Sequence, residues 1–135
     1  MTVHRPLSLA LVSAILALAS LAARAAAVDW SKAELFTVTM TEYRFTPSDL
    51  KFRLGVPYRL HLQNDGKELH EFSAPDFFKA IETRNPEVLA QEGKEVVLPP
   101  HESKDVYFIA ERPGRFPLAC PDHDWAGMTG TITVE

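Results

Sequence analysis

Hydrophobic and polar side chains alternate along residues 36–43, with Phe36, Val38 and Met40 on one parity and Thr37, Thr39 and Thr41 on the other. This is the period-two pattern of a half-buried strand. The alternation returns with Tyr58, Leu60 and Leu62 against Arg59, His61 and Gln63, and it stops at the turn Asn64-Asp65-Gly66. Between these runs Phe45, Leu50, Phe52 and Leu54 are punctuated by Pro47 and Gly55. Further short strands are predicted over residues 69–73, 95–98, 105–110, 115–120 and 129–134. Short strands separated by proline and glycine predict an all-β sandwich or barrel, not βαβ units.

One stretch departs from the alternation. Ser73 stands at an N-cap position, Pro75 falls in the first turn, and Phe77, Phe78 and Ile81 follow at helical spacing. A short helical excursion is therefore predicted within residues 74–90, expected to act as a lid over one end of the sandwich rather than as a ligand-binding element. The sequence has no internal repeat and no glycine-rich phosphate loop.

Composition narrows the picture. A length of 135 residues fits one domain, and 14 basic against 18 acidic side chains, a formal charge of −4, argue against nucleic acid as a partner. Residues 1–27 carry no acidic side chain, and a largely apolar run leads to Ala-Arg-Ala and Ala-Ala-Ala triplets. They read as a secretory signal cleaved near Ala25 or Ala27, the alternative being an uncleaved membrane anchor. Cleavage after Ala27 leaves a single domain over residues 28–135 and removes Arg5 and Arg24, so the mature charge becomes −6. The expected location is the periplasm, with no membrane association once the leader is gone.

Export sharpens the question posed by the one cysteine. A single Cys120 excludes an internal disulfide, a four-cysteine zinc site and a binuclear copper centre bridged by two thiolates. An unpaired thiol in an oxidising compartment is exposed to oxidation unless it is buried or bound to a metal.

The chain around it reads Cys120-Pro-Asp-His123-Asp-Trp-Ala-Gly-Met128-Thr-Gly130. A strand delivers the thiol at its end, one loop adds an imidazole and a thioether, and Gly127 and Gly130 permit the bends. Thiolate and thioether are soft donors that favour copper over magnesium, calcium or manganese, and two histidines with one cysteine and a weak axial methionine make a mononuclear electron-transfer copper site. The second histidine has three candidates. His61 is expected to point outward from its strand and His101 sits in a proline-rich turn, whereas His70 lies where a chain end can meet a distant loop at one pole of a sandwich. Two other readings of Cys120 compete: a buried core residue, and a nucleophile with His123 as base. The second has no use for the methionine on the same loop.

With Gly114, Phe116, Cys120, His123, Met128 and Gly130 in this spacing and His70 fifty residues before the cysteine, the chain resembles the cupredoxins, and its ligand loop is similar to that of plastocyanin. The resemblance implies a Greek-key β-sandwich with one short helical excursion, binding one copper ion through His70, Cys120, His123 and, more weakly, Met128. It also implies electron exit through the imidazole of His123. Glu71 departs from the pattern, because plastocyanin-like and azurin-like members carry asparagine after the first histidine, where it ties the two ligand loops together.

The expected function is one-electron transfer by Cu(I)/Cu(II) cycling in a monomer whose partner is a cytochrome, an oxidase or a reductase. Acidic charge would steer a basic partner. The alternative is a periplasmic copper-tolerance protein that sequesters or delivers the metal. An enzyme is disfavoured, since no His-x-His pair is present to build a catalytic copper centre.

Overall fold

The computed structural model describes residues 28–135, so the leader expected over residues 1–27 lies outside the described residues. Ten strands form two five-stranded sheets. One has the order β2-β1-β4-β8-β6, built from β1 (Glu34–Thr41), β2 (Arg44–Thr46), β4 (Pro57–Asn64), β6 (Ile81–Thr83) and β8 (Ser103–Ala110). The other has the order β3-β10-β9-β5-β7, built from β3 (Asp49–Phe52), β5 (His70–Ser73), β7 (Glu95–Leu98), β9 (Gly114–Ala119) and β10 (Thr129–Val134). This is the expected all-β Greek-key sandwich.

The alternating residues make the core. Val38, Met40, Leu60, Leu62, Val106 and Phe108 face inward from the first sheet and Leu50, Phe52, Phe72, Leu98, Leu118 and Ile132 from the second, all buried. His61 takes the opposite parity on β4 and is half-buried on the outer face, where Asp105 of β8 meets its Nδ1 at 2.7 Å. Among the described residues no helix is long and apolar enough to cross a membrane.

The excursion differs from its expected form. The helix α1 is only Pro75–Phe78, and its N-cap is Ala74, with no side-chain hydrogen bond. Ser73 stays in β5, paired with Glu95 and Ala119, and the Ala74 N–H continues the pattern to the Lys94 carbonyl at 3.1 Å. Strand pairing therefore outcompetes the cap. Ile81, read as part of the helix, starts the edge strand β6 against β8. The lid itself is a plug: Phe77 is fully buried, with ring centroids 5.3 Å from Phe108 and 5.9 Å from Phe52. Burying one such ring is worth about 1.5–3 kcal/mol. Phe52 pairs with Val134 at the end of β10. The plug thus closes the pole away from Cys120 and Met128, which flank the other ends of β9 and β10.

Candidate metal centre

Three segments meet at that free pole. His70 opens β5, Cys120 directly follows β9, and the loop between β9 and β10 carries His123 and Met128. The loop is held by its own backbone. The Cys120 N–H donates to the Met128 carbonyl at 3.0 Å, the His123 N–H to the Cys120 carbonyl at 3.0 Å, and the Met128 N–H to the His123 carbonyl at 3.3 Å. Gly127, at φ 84°, takes the left-handed conformation that turns the chain back, and Gly130 lies so close to the Ser48 carbonyl that a Cβ would fall on it.

One ligand atom each from His70, Cys120 and His123 lie within 4.8 Å of one another. The structure thus brings His70 to the cysteine, while His61 is held by Asp105 and His101 sits exposed in its turn. Cys120, His70 and Met128 are fully buried, and of the four only His123 is accessible, to 12% of its side chain.

The electrostatics suit a metal. Both ring nitrogens of His70 are buried without a hydrogen bond. Nε2 has the Glu42 carboxylate 3.6 Å away, whereas Nδ1 has no such neighbour, a costly arrangement for a polar atom that one metal–nitrogen bond would relieve. Burial, and then the neighbouring His123, push the His70 imidazolium below its ordinary range, which keeps the ring neutral as a ligand must be. Burial pushes the Cys120 thiol up to about 12, with the Glu71 carboxyl acting in the same direction. The metal-free site therefore holds a thiol whose proton a soft cation displaces.

Glu71 ties β5 to the cysteine. Its N–H points at Cys120 Sγ from 3.4 Å, and its carboxyl oxygen lies 3.0 Å from the same sulfur. Asn64, read from sequence only as a turn residue, is fully buried. Its Nδ2 donates to the carbonyls of Glu68 at 2.8 Å and Leu98 at 2.9 Å, and its Oδ1 accepts the Gly66 N–H at 2.9 Å. It pins the loop that leads into His70.

Three residues around the site went unnoticed in the sequence. Glu42 accepts the N–H groups of Lys67 and Glu68, Tyr43 packs on the His123 ring, and Glu68 meets His123 Nε2. No local spacing announces them, because the turn after β1 meets the loop after β4 only in three dimensions. Trp125, 75% exposed, completes an aromatic rim with Tyr43 at 5.7 Å.

A buried thiol with two convergent imidazoles, at one pole of a Greek-key sandwich, defines a copper-protein architecture. A family model described as a cupredoxin-like domain matches residues 8–134, and the chain belongs to that family. Dithionite-reduced auracyanin from the photosynthetic bacterium Roseiflexus castenholzii is similar with a TM-score of 0.58 and 17% identity, over 76% of this chain and 98% of that one. Auracyanin B gives a TM-score of 0.56 and 21% identity over 76% and 89%. A multicopper oxidase from Campylobacter jejuni gives 0.56 and 16% identity over 75% of this chain and 30% of that one. At these identities the likeness is one of fold. No curated protein matches the chain.

Proposed function

We propose that this chain is a periplasmic type 1 copper protein that carries one electron at a time between partner proteins, its leader removed on export. The observation that most supports the reading is the convergence of ligand atoms of His70, Cys120 and His123 within 4.8 Å, with His70 and Cys120 fully buried. His70, Cys120 and His123 would hold one copper ion, with the Met128 thioether as a weaker fourth donor. Copper bound there supplies a one-electron Cu(I)/Cu(II) couple.

The chain's own residues hold the donors still. Backbone hydrogen bonds fix the 120–128 loop, Glu71 ties β5 to the sulfur, and Asn64 braces the approach to His70. A site that keeps one geometry through both oxidation states needs little rearrangement. His123, 12% accessible behind the half-exposed Glu68 carboxylate, and the Tyr43–Trp125 rim lie where a partner approaches. The mature charge of −6, counted without the leader, steers a basic partner such as a cytochrome, an effect that salt screens.

Voltammetry of the copper-loaded protein tests this reading. A reversible one-electron wave, with electron exchange to a basic cytochrome that slows as ionic strength rises, is the expected result. A deletion strain that is sensitive to excess copper yet normal in respiratory electron flux would contradict it and assign a copper-tolerance role instead.

A further inference from the structure

The two ring nitrogens of His123 meet different neighbours. Nδ1 lies 3.4 Å from Cys120 Sγ, on the side where the donors converge, and Nε2 lies 2.7 Å from Glu68 Oε2. Glu68 is itself fixed. The Tyr43 hydroxyl donates to its other oxygen at 3.3 Å, its N–H donates to the Glu42 carboxylate at 3.0 Å, and its carbonyl accepts from Asn64 at 2.8 Å. The Tyr43 ring also lies on the imidazole, with centroids 4.7 Å apart and planes inclined by 34°. One face and the outer edge of His123 are thus clamped by two side chains from two different loops.

An imidazole binds a metal through one nitrogen only when its proton sits on the other, and the partner of that second nitrogen decides where the proton goes. A carboxylate accepts and cannot donate. We propose that Glu68, oriented by Tyr43, is a positioning residue for His123: it takes the Nε2–H, fixes the tautomer that leaves the Nδ1 lone pair facing Cys120, and makes the ring a stronger donor. The proposal rests on the copper reading above for its redox consequence, but not for the tautomer. A surface ion pair without this role is worth at most about 1 kcal/mol and leaves the metal's properties alone.

The stronger donor favours the more highly charged Cu(II), so losing the carboxylate shifts the reduction equilibrium toward Cu(I). Three variants test this: Glu68→Ala, Glu68→Gln, whose amide oxygen still accepts the N–H, and Tyr43→Phe, which keeps the stacked ring. Nitrogen NMR of the metal-free wild type should show His123 protonated at Nε2. Glu68→Gln should keep that tautomer, and Glu68→Ala should yield a mixture. In the copper-loaded protein, Glu68→Ala should weaken Cu(II) binding about tenfold while leaving Cu(I) binding nearly unchanged. It should also raise the one-electron reduction equilibrium constant about tenfold, or roughly 59 mV. Glu68→Gln and Tyr43→Phe should fall between it and the wild type.

Unchanged circular dichroism marks the variants as folded, as expected for a half-exposed side chain. A Glu68→Ala protein with wild-type tautomer ratio and wild-type potential would overturn the proposal. If the wild type forms no thiolate–copper band, the copper reading fails, and the tautomer measurement alone decides the role of Glu68.

Discussion

Glu71 directs both its main-chain N–H and its carboxyl at the Cys120 sulfur, at 3.4 and 3.0 Å. The first contact stabilises a thiolate and the second stabilises the thiol, because a carboxylate accepts the S–H proton but repels the anion. Burial decides the balance, and the thiol is pushed from an ordinary 9.0 up to about 12. The folded chain then keeps a proton that the unfolded chain has lost, so this contribution to stability is complete below pH 9 and declines as pH rises toward 12. Denaturant midpoints of the metal-free protein should fall over that range more steeply than those of Cys120→Ser, which has no thiol to titrate. Parallel slopes would show that the thiol is not held in this way.

Asn64 braces the loop into His70 with three hydrogen bonds, all from a fully buried side chain. Asn64→Ala leaves two carbonyls and one N–H without this partner, and should cost roughly 3 kcal/mol in chemical denaturation. Metal affinity should fall with it, since His70 loses its support. A loss of stability with unchanged affinity would separate the brace from the site.

Gly130 is a backbone requirement of the same pole. An added Cβ on this β10 residue would fall on the carbonyl of Ser48, just before β3, and stand 3.2 Å from Leu118 Cδ2 of β9. Gly130→Ala should destabilise the protein by roughly 2 kcal/mol through forced displacement of β3. Thermal or urea unfolding checks this, and a neutral result would mean that β3 moves aside freely.

Met128 is fully buried on the ligand loop, so Met128→Leu, nearly equal in volume, should change stability by less than about 1.5 kcal/mol. If the thioether is the axial donor, its loss removes electron density that favours Cu(II). The reduction potential should rise by about 59 mV or more, tenfold in the equilibrium constant. A potential equal to that of the wild type would make Met128 a packing residue only.

What could be read in the sequence was what is local. The period-two runs place β1, β4, β7, β8 and β10 within a few residues, because a sheet with one face buried imposes that period on the chain. Cys120, His123 and Met128 declare themselves by spacing within one loop, and His70 by its place at the same pole. The three-residue β6 is too short to show any period, and the Ser73 cap lost to pairing of β5 with β7 and β9. Tyr43 and Glu68 stand 25 residues apart and meet through two turns whose mutual approach no local pattern encodes. Asn64 looked like an ordinary turn former, and only the fold shows it buried and fully bonded.

The most direct test of the copper assignment is titration of the purified, reduced chain with Cu(II), followed by optical absorption and electron spin resonance. An intense visible thiolate-to-copper band is expected, saturating at one copper per chain, bleaching on reduction, returning on oxidation, and absent from Cys120→Ser. Copper binding without that band, unchanged in Cys120→Ser, would contradict the account.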